Sequence, residues 1–308
     1  MIINVSYLED EQLTELKQQQ RTASFTRLRL SDYGEDSITT SQLLSWPREL
    51  RHMEMGSYYN NENHMDLGMF GTMLSPHKHT LEVLKMGYLS RIVGEEKIID
   101  VSEFSALTEL ELSRWSFTNI SLQFSDDVGH KLLAPRLAKF TWSFSIYDQH
   151  SETITDMGDR EEEWLRQFAT FAARHNSALK GIYIEYRPPS ISRYQDIRAL
   201  VYPWDRLDRV KRDVEKYGIK LGYNEPSTTK QEWSDEVENQ KRRARGEASP
   251  ERASSPEDSE DESASGDSEP DFHEGTYLNV EGGDIRQYFT STPSSEDAGG
   301  EGIGGIAH

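Results

Sequence analysis

One phrase recurs six times along this chain: FTRLRL from Phe25, LRHMEM from Leu50, LEVLKM from Leu81, LTELEL from Leu107, LAKFTW from Leu137 and LKGIYI from Leu179. Each copy has a large apolar residue at its first, fourth and sixth positions. The alternation over the last positions is that of a strand burying one face. So short a strand cannot bury that face alone, so the copies must pack on one another as a single cooperative array. GIKLGY from Gly218, with Ile219, Leu221 and Tyr223 alternating, reads as a seventh, terminal strand.

The phrase is the L-x-x-L-x-L strand of a leucine-rich repeat, in which one strand per repeat lines a parallel sheet and a helix or loop covers its other side. The connections agree, because QLLSWP, TMLSP and KLLAP each end an apolar pair at a proline, as suits a short helix that is then stopped. EEEWLRQFATFAARHN sets Trp164, Leu165, Phe168, Phe171 and Ala172 on one helical stripe, and PWDRLDRVKRDVEKYG runs from Pro203 at a first turn to Gly218 past its end. The expected fold is α/β: an irregular leucine-rich-repeat-like solenoid over 25–226, with a helical lead-in over 1–24 and a disordered acidic tail over 227–308. The starts are spaced unevenly, by 25, 31, 26, 30 and 42 residues, and the alternative is a chance set of strands in an ordinary α/β domain.

Charge separates the tail from the body. Residues 227–308 hold 7 Lys and Arg against 20 Asp and Glu, which leaves -7 of the chain's -20 for residues 1–226. A balance of that sign argues against general affinity for a phosphate backbone or an anionic membrane, while leaving local basic patches open. The absence of cysteine excludes disulfides and thiolate chemistry. No basic leader precedes an apolar core and no apolar run is long enough to span a bilayer, so the expected location is cytoplasmic or nuclear.

If the first, fourth and sixth positions face the core, the third, fifth and seventh face outward. The fifth positions read Arg29, Glu54, Lys85, Glu111, Thr141 and Tyr183, an alternating ladder that starts with four charges. The seventh are small, Ser31, Gly56, Gly87, Ser113 and Ser143, except for Glu185. Tyr33, Tyr58, Tyr88 and Trp115 follow at the strand ends. Small residues beside aromatics suit either a groove with binding anchors or a packed edge.

After Phe144 the run FSIYDQHSETITDMGDREEEWL gathers Asp148, His150, Glu152, Asp156 and Asp159. One reading is a metal-binding or hydrolytic site at Asp148, His150 and Glu152; the other is a structured loop leading into an acidic helix start. The partner-binding set on the second reading is Tyr58, Tyr88, Trp115, Tyr147, Asp148, His150 and Glu152, with no cofactor. KRRAR, Lys241 to Arg245, is a candidate nucleic-acid contact or import signal beside an acidic, serine-rich stretch. Gly300, Gly302 and Gly305 match G-x-G-x-x-G, but no strand pattern precedes them and no helix pattern follows, so no dinucleotide site is expected.

The wording LLSWPRELRHMEMG, MLSPHKHTLEVLKMGYLSR, FSALTELELSRW, LLAPRLAKFTWSFSIYDQHSE, EEEWLRQFA, YPWDRLDRV and GIKLGYNEP resembles filamentous-fungal F-box proteins with degenerate leucine-rich repeats, over about residues 25–226. The resemblance implies a non-enzymatic scaffold, the substrate-recognition half of a ubiquitin-ligase receptor, that holds a protein partner. A Skp-type linker is implied only where an F-box lies upstream, because LEDEQLTELKQQQ can form one helix at most and an F-box has three.

Overall fold

The computed structural model describes residues 2–5, 14, 16–58, 65–89, 97–117, 122–145, 153–188 and 196–247. Its strands are β1 (Ile2–Val5), β2 (Arg27–Leu30), β3 (His52–Tyr58), β4 (Val83–Leu89), β5 (Glu109–Ser113), β6 (Lys139–Ser143), β7 (Gly181–Glu185) and β8 (Lys220–Tyr223). They form one sheet in chain order, every neighbouring pair parallel. Parallel neighbours cannot be joined by a hairpin, so each link crosses back over the sheet. The links carry α1 (Ser37–Ser45), α2 (Leu67–Leu74), α3 (Asp126–Leu132), α4 (Asp159–Arg174) and α5 (Pro203–Glu215), and α6 (Lys230–Ala244) follows β8. Between β4 and β5 the described residues, 97–108, hold no helix.

The repeated phrase explains the core. All eighteen residues at its first, fourth and sixth positions are 3% exposed or less, while the third and fifth positions are mostly half-buried or exposed. One face of the sheet is thus covered and the other open. Each covered side chain contributes about 1.5–3 kcal/mol over leaving it in water. On the open face the register sets Arg29, Glu54, Lys85, Glu111, Thr141 and Tyr183 side by side. Arg29 pairs with Glu54 at 3.3 Å and Lys85 with Glu111 at 3.6 Å, and one row along Lys139 meets Glu109 at 3.6 Å. Exposed pairs of this kind are worth about 0–1 kcal/mol each, so the ladder serves register more than stability.

Side chains set the helix limits. Asp36, Asp66 and Ser125 cap α1, α2 and α3 by accepting from Thr39, Met69 and Val128 N–H at 2.7, 2.7 and 3.3 Å. Pro203 opens α5, where its missing N–H costs nothing. Asn176 and Gly218, both at positive φ, end α4 and the turn before β8.

Two expectations are corrected at the ends of the domain. Ile2–Val5, assigned to a helical lead-in, is a strand paired with β2. IINV is short and β-branched, but it lacks the leading apolar position of the phrase. Residues 227–247, assigned to the tail on composition, belong to the folded part. Thr229 and Glu232 form a reciprocal capping box at the start of α6, and Trp233 is buried against Tyr202, ring centroids 5.7 Å apart. A single tryptophan decided the packing in a segment whose average composition is polar. The remainder of the assigned tail, 248–308, lies outside the described residues.

His77 is the one histidine among the described residues that is fully buried, and it fastens the second repeat to the first. Its Nε2 lies 2.7 Å from the Leu44 carbonyl, its Nδ1 accepts from Leu50 N–H at 3.2 Å, and the Arg21 guanidinium stands 3.4 Å from Nδ1. Only the neutral ring protonated at Nε2 satisfies both backbone partners. Burial lowers the imidazole pKa, the Leu44 carbonyl opposes this, and Arg21 adds to the lowering. The unfolded chain therefore binds the proton more tightly than the folded one. His77's contribution to stability is complete above the ordinary value of 6.5 and is lost as pH falls below it. The denaturation midpoint should drop between about pH 7 and pH 5, with a slope from this group of at most about 1.4 kcal/mol per unit. His77→Gln should remove that share of the slope while lowering stability at neutral pH.

Candidate functional site

The strand ends at the carboxyl edge of the sheet carry the candidate anchors, and the structure separates them. Tyr58 is corrected from anchor to core: it is 0% exposed, lies between a tilted Tyr33 ring and an edge-on Phe70 ring, each 6.3 Å away, and donates its hydroxyl to the Glu35 carbonyl at 2.9 Å. Beyond a bend at Ser31 and Asp32, Tyr33 bridges Tyr58 in the parallel register of β2 and β3, and both rings are 0% exposed. Burial likewise holds the Tyr33 phenol well above its ordinary pKa. Tyr88 and Trp115 remain half-buried at the edge. Tyr147, Asp148, His150 and Glu152 lie outside the described residues.

Trp115 is fastened on several sides. It sits in a single 3-10 turn, Arg114–Ser116, where Ser113 Oγ accepts its backbone N–H at 3.2 Å. Its indole N–H donates to the Phe144 carbonyl at 2.9 Å, and the Arg114 guanidinium lies 5.2 Å from its ring centroid. Arg114 is itself held, its Nε and Nη2 donating to Glu161 Oε1 at 3.0 and 2.6 Å, with side chains 14% and 6% exposed. The other oxygen of Glu161 accepts from Gly158 N–H at 3.0 Å at the start of α4. A desolvated pair of this kind holds geometry, since removing one partner leaves the other charge buried and uncompensated.

The small seventh positions do not form an open groove. Ser113 is fully buried and Ser143 nearly so, and their hydroxyls are committed: Ser143 donates to Glu185 at 2.9 Å and accepts from Ser145 N–H at 3.3 Å. Nearby, burial raises the Asp156 carboxyl, against the hydrogen bonds from Thr153 and the charge of Arg114. Asp159 opens α4 and pairs with Arg206.

Among the described residues no three His, Cys, Asp or Glu side chains are grouped as a metal site. His79 is exposed, with Nδ1 2.9 Å from Ser105 Oγ. In the basic cluster, Arg242, Arg243 and Arg245 each lie near a carboxylate of Glu236, Glu238 or Glu247, at 3.1 to 3.6 Å. On the helical side, a cleft of about 720 Å³ opens between α2 and α3, beside the described residues 97–108 of the link between β4 and β5. Its rim charges are largely self-paired, Lys78 with Glu103 and Lys131 with Asp127 at 2.9 and 2.6 Å.

Sequence reasoning missed the two buried carboxylates of α4. Glu161 holds Arg114, and Glu162, with its side chain 6% exposed, accepts from Arg166 at 2.6 Å, Arg206 at 3.0 Å and Arg209 at 3.0 Å. Burial pushes the Glu162 carboxyl up, but the three guanidiniums outweigh it and hold its pKa below the ordinary carboxylate value. The i, i+4 spacing of Glu162 and Arg166 in α4 and the i, i+3 spacing of Arg206 and Arg209 in PWDRLDRV are the local signs of this hub.

No protein-family model, curated protein or solved structure matches the chain. Among the described residues no helix is long and apolar enough to cross a membrane.

Proposed function

We propose that this protein is a non-enzymatic binding scaffold, a leucine-rich-repeat-like solenoid that holds a protein partner at the carboxyl edge of its sheet, around Trp115 and Tyr88. The reading extends to the role implied by the resemblance, substrate recognition of the F-box receptor type, in the cytoplasm or nucleus. What supports it is the state of Trp115: a large aromatic left half-exposed, yet held by its indole N–H, its backbone and a locked guanidinium. Such an anchor loses little side-chain freedom on binding, and tryptophan and tyrosine are enriched among residues that dominate interface energies.

The test is affinity capture with the intact chain, followed by reconstitution with the purified partner. Trp115→Ala with Tyr88→Ala should weaken the partner's Kd by about 30-fold or more, equivalent to at least about 2 kcal/mol. Ile38→Ala, a change to an exposed residue on α1, should leave Kd and the melting temperature as they are. Undiminished binding by a folded Trp115→Ala, Tyr88→Ala chain would remove this edge as the site.

A further inference from the structure

The opposite end of the sheet carries a different feature. All strands run parallel, so their amino ends form one rim, and over the last three strands that rim is cationic. Arg136 lies in the turn before β6, Lys139 begins β6, Arg174 ends α4, Lys180 precedes β7, Lys216 follows α5 and Lys220 begins β8. The register aligns Lys139 and Lys220 on either side of Gly181, and Lys180 accepts the Lys220 backbone N–H at 2.9 Å through its carbonyl. All six side chains belong to exposed residues. Lys139 meets Glu109 at 3.6 Å, whereas no ion pair is formed by Arg136, Arg174, Lys180, Lys216 or Lys220 among the described residues. The carboxylates at this rim are Glu109 and Glu215. Uncompensated cations of this density are unexpected in a chain of net charge -20.

We infer that this rim is the docking surface for the chain's own acidic segment, Glu257 to Glu262. Charge complementarity and reach carry the assignment. Residues 248–308 hold 2 Lys and Arg against 15 Asp and Glu, and five of the six residues from Glu257 to Glu262 are acidic. Glu257 lies ten residue steps beyond Glu247, a span of up to about 33 Å when extended and well over the length of a strand such as β8. Tethering makes the contact intramolecular, so weak single pairs suffice in number. The inference does not rest on the partner site around Trp115, which lies at the other end of the strands.

The experiment is lysine footprinting of the full-length chain, with acetylation rates at each lysine read by mass spectrometry. A neighbouring carboxylate favours the charged ammonium and slows acylation. In the variant Glu257→Gln, Asp258→Asn, Glu260→Gln, Asp261→Asn, Glu262→Gln, rates at Lys139, Lys180 and Lys220 should rise about threefold or more, with Lys97 unchanged as internal control. Raising salt to about 0.5 M should raise the same three rates in the unmodified chain, because surface attraction is screened. Equal rates in the two chains would overturn the inference. So would protection that fades on dilution, which would make the occupant a second copy, or protection removed by nuclease, which would make it a nucleic acid.

Discussion

Replacing Glu162 with alanine should lower stability by about 2–3 kcal/mol, because the carboxylate is 6% exposed while two of its three arginine partners, at 31% and 39%, stay partly screened by solvent. Its carboxylate is the common acceptor for Arg166 on its own helix and for Arg206 and Arg209 on α5. Without it Arg209 loses its carboxylate partner, Arg166 and Arg206 keep Asp213 and Asp159 respectively, and the cations left between α4 and α5, which pack side by side, repel one another. Glu163→Ala, one residue on, serves as the control, since that side chain is 57% exposed and its nearest guanidinium contact, to Arg166, is 3.9 Å. The control should stay within about 0.5 kcal/mol of the parent. Urea denaturation of both variants at neutral pH measures the difference. Because the folded pKa of Glu162 is depressed, its contribution is present above the ordinary carboxylate value and disappears as pH falls through the folded one. The gap between parent and Glu162→Ala should therefore narrow on acidification.

The second large effect belongs to a glycine. Gly56 and Gly87 lie on neighbouring strands, between the paired Met55 and Met86 and the paired Ser57 and Tyr88. They are not equivalent. A Cβ on Gly87 would stand 1.8 Å from the Gly56 carbonyl oxygen and 2.7 Å from its carbon, whereas one on Gly56 would meet nothing closer than the Leu30 carbonyl at 3.8 Å. The obstacle at Gly87 is backbone, which cannot rotate aside, so β3 and β4 would have to separate. Gly87→Ala is expected to destabilise by about 3 kcal/mol or to break the β3–β4 register, and Gly56→Ala to change stability by less than about 1 kcal/mol. Thermal unfolding separates the two, and equal melting temperatures would show that the strands do not approach this closely.

The covered face was legible because its cause is local. An apolar residue at the fourth and sixth positions of a strand faces the same side whatever lies elsewhere, and all eighteen phrase positions are buried accordingly. The parallel sheet in chain order follows from the same repetition, and so do α4 and α5, whose apolar stripes and end residues are written within single turns. Composition served less well where one side chain outweighed an average, as Trp233 did in α6.

What the carboxyl edge does could be settled only by which distant segments meet there. Tyr58 and Trp115 occupy the same place in the sequence, the ninth residue from the start of the second and fourth phrases, yet Tyr33, Phe70 and the Glu35 carbonyl enclose one while the other stays half-open. Arg114 and Glu161, 47 residues apart, carry no mutual sign in the sequence, and neither do the six cations that three successive links deliver to one rim. The sequence by itself determined which residues turn inward, since strand alternation acts over a few bonds. The tertiary structure alone decided which outward residues are covered, paired or left exposed, since charge and solvent act through space between segments that the chain order keeps far apart.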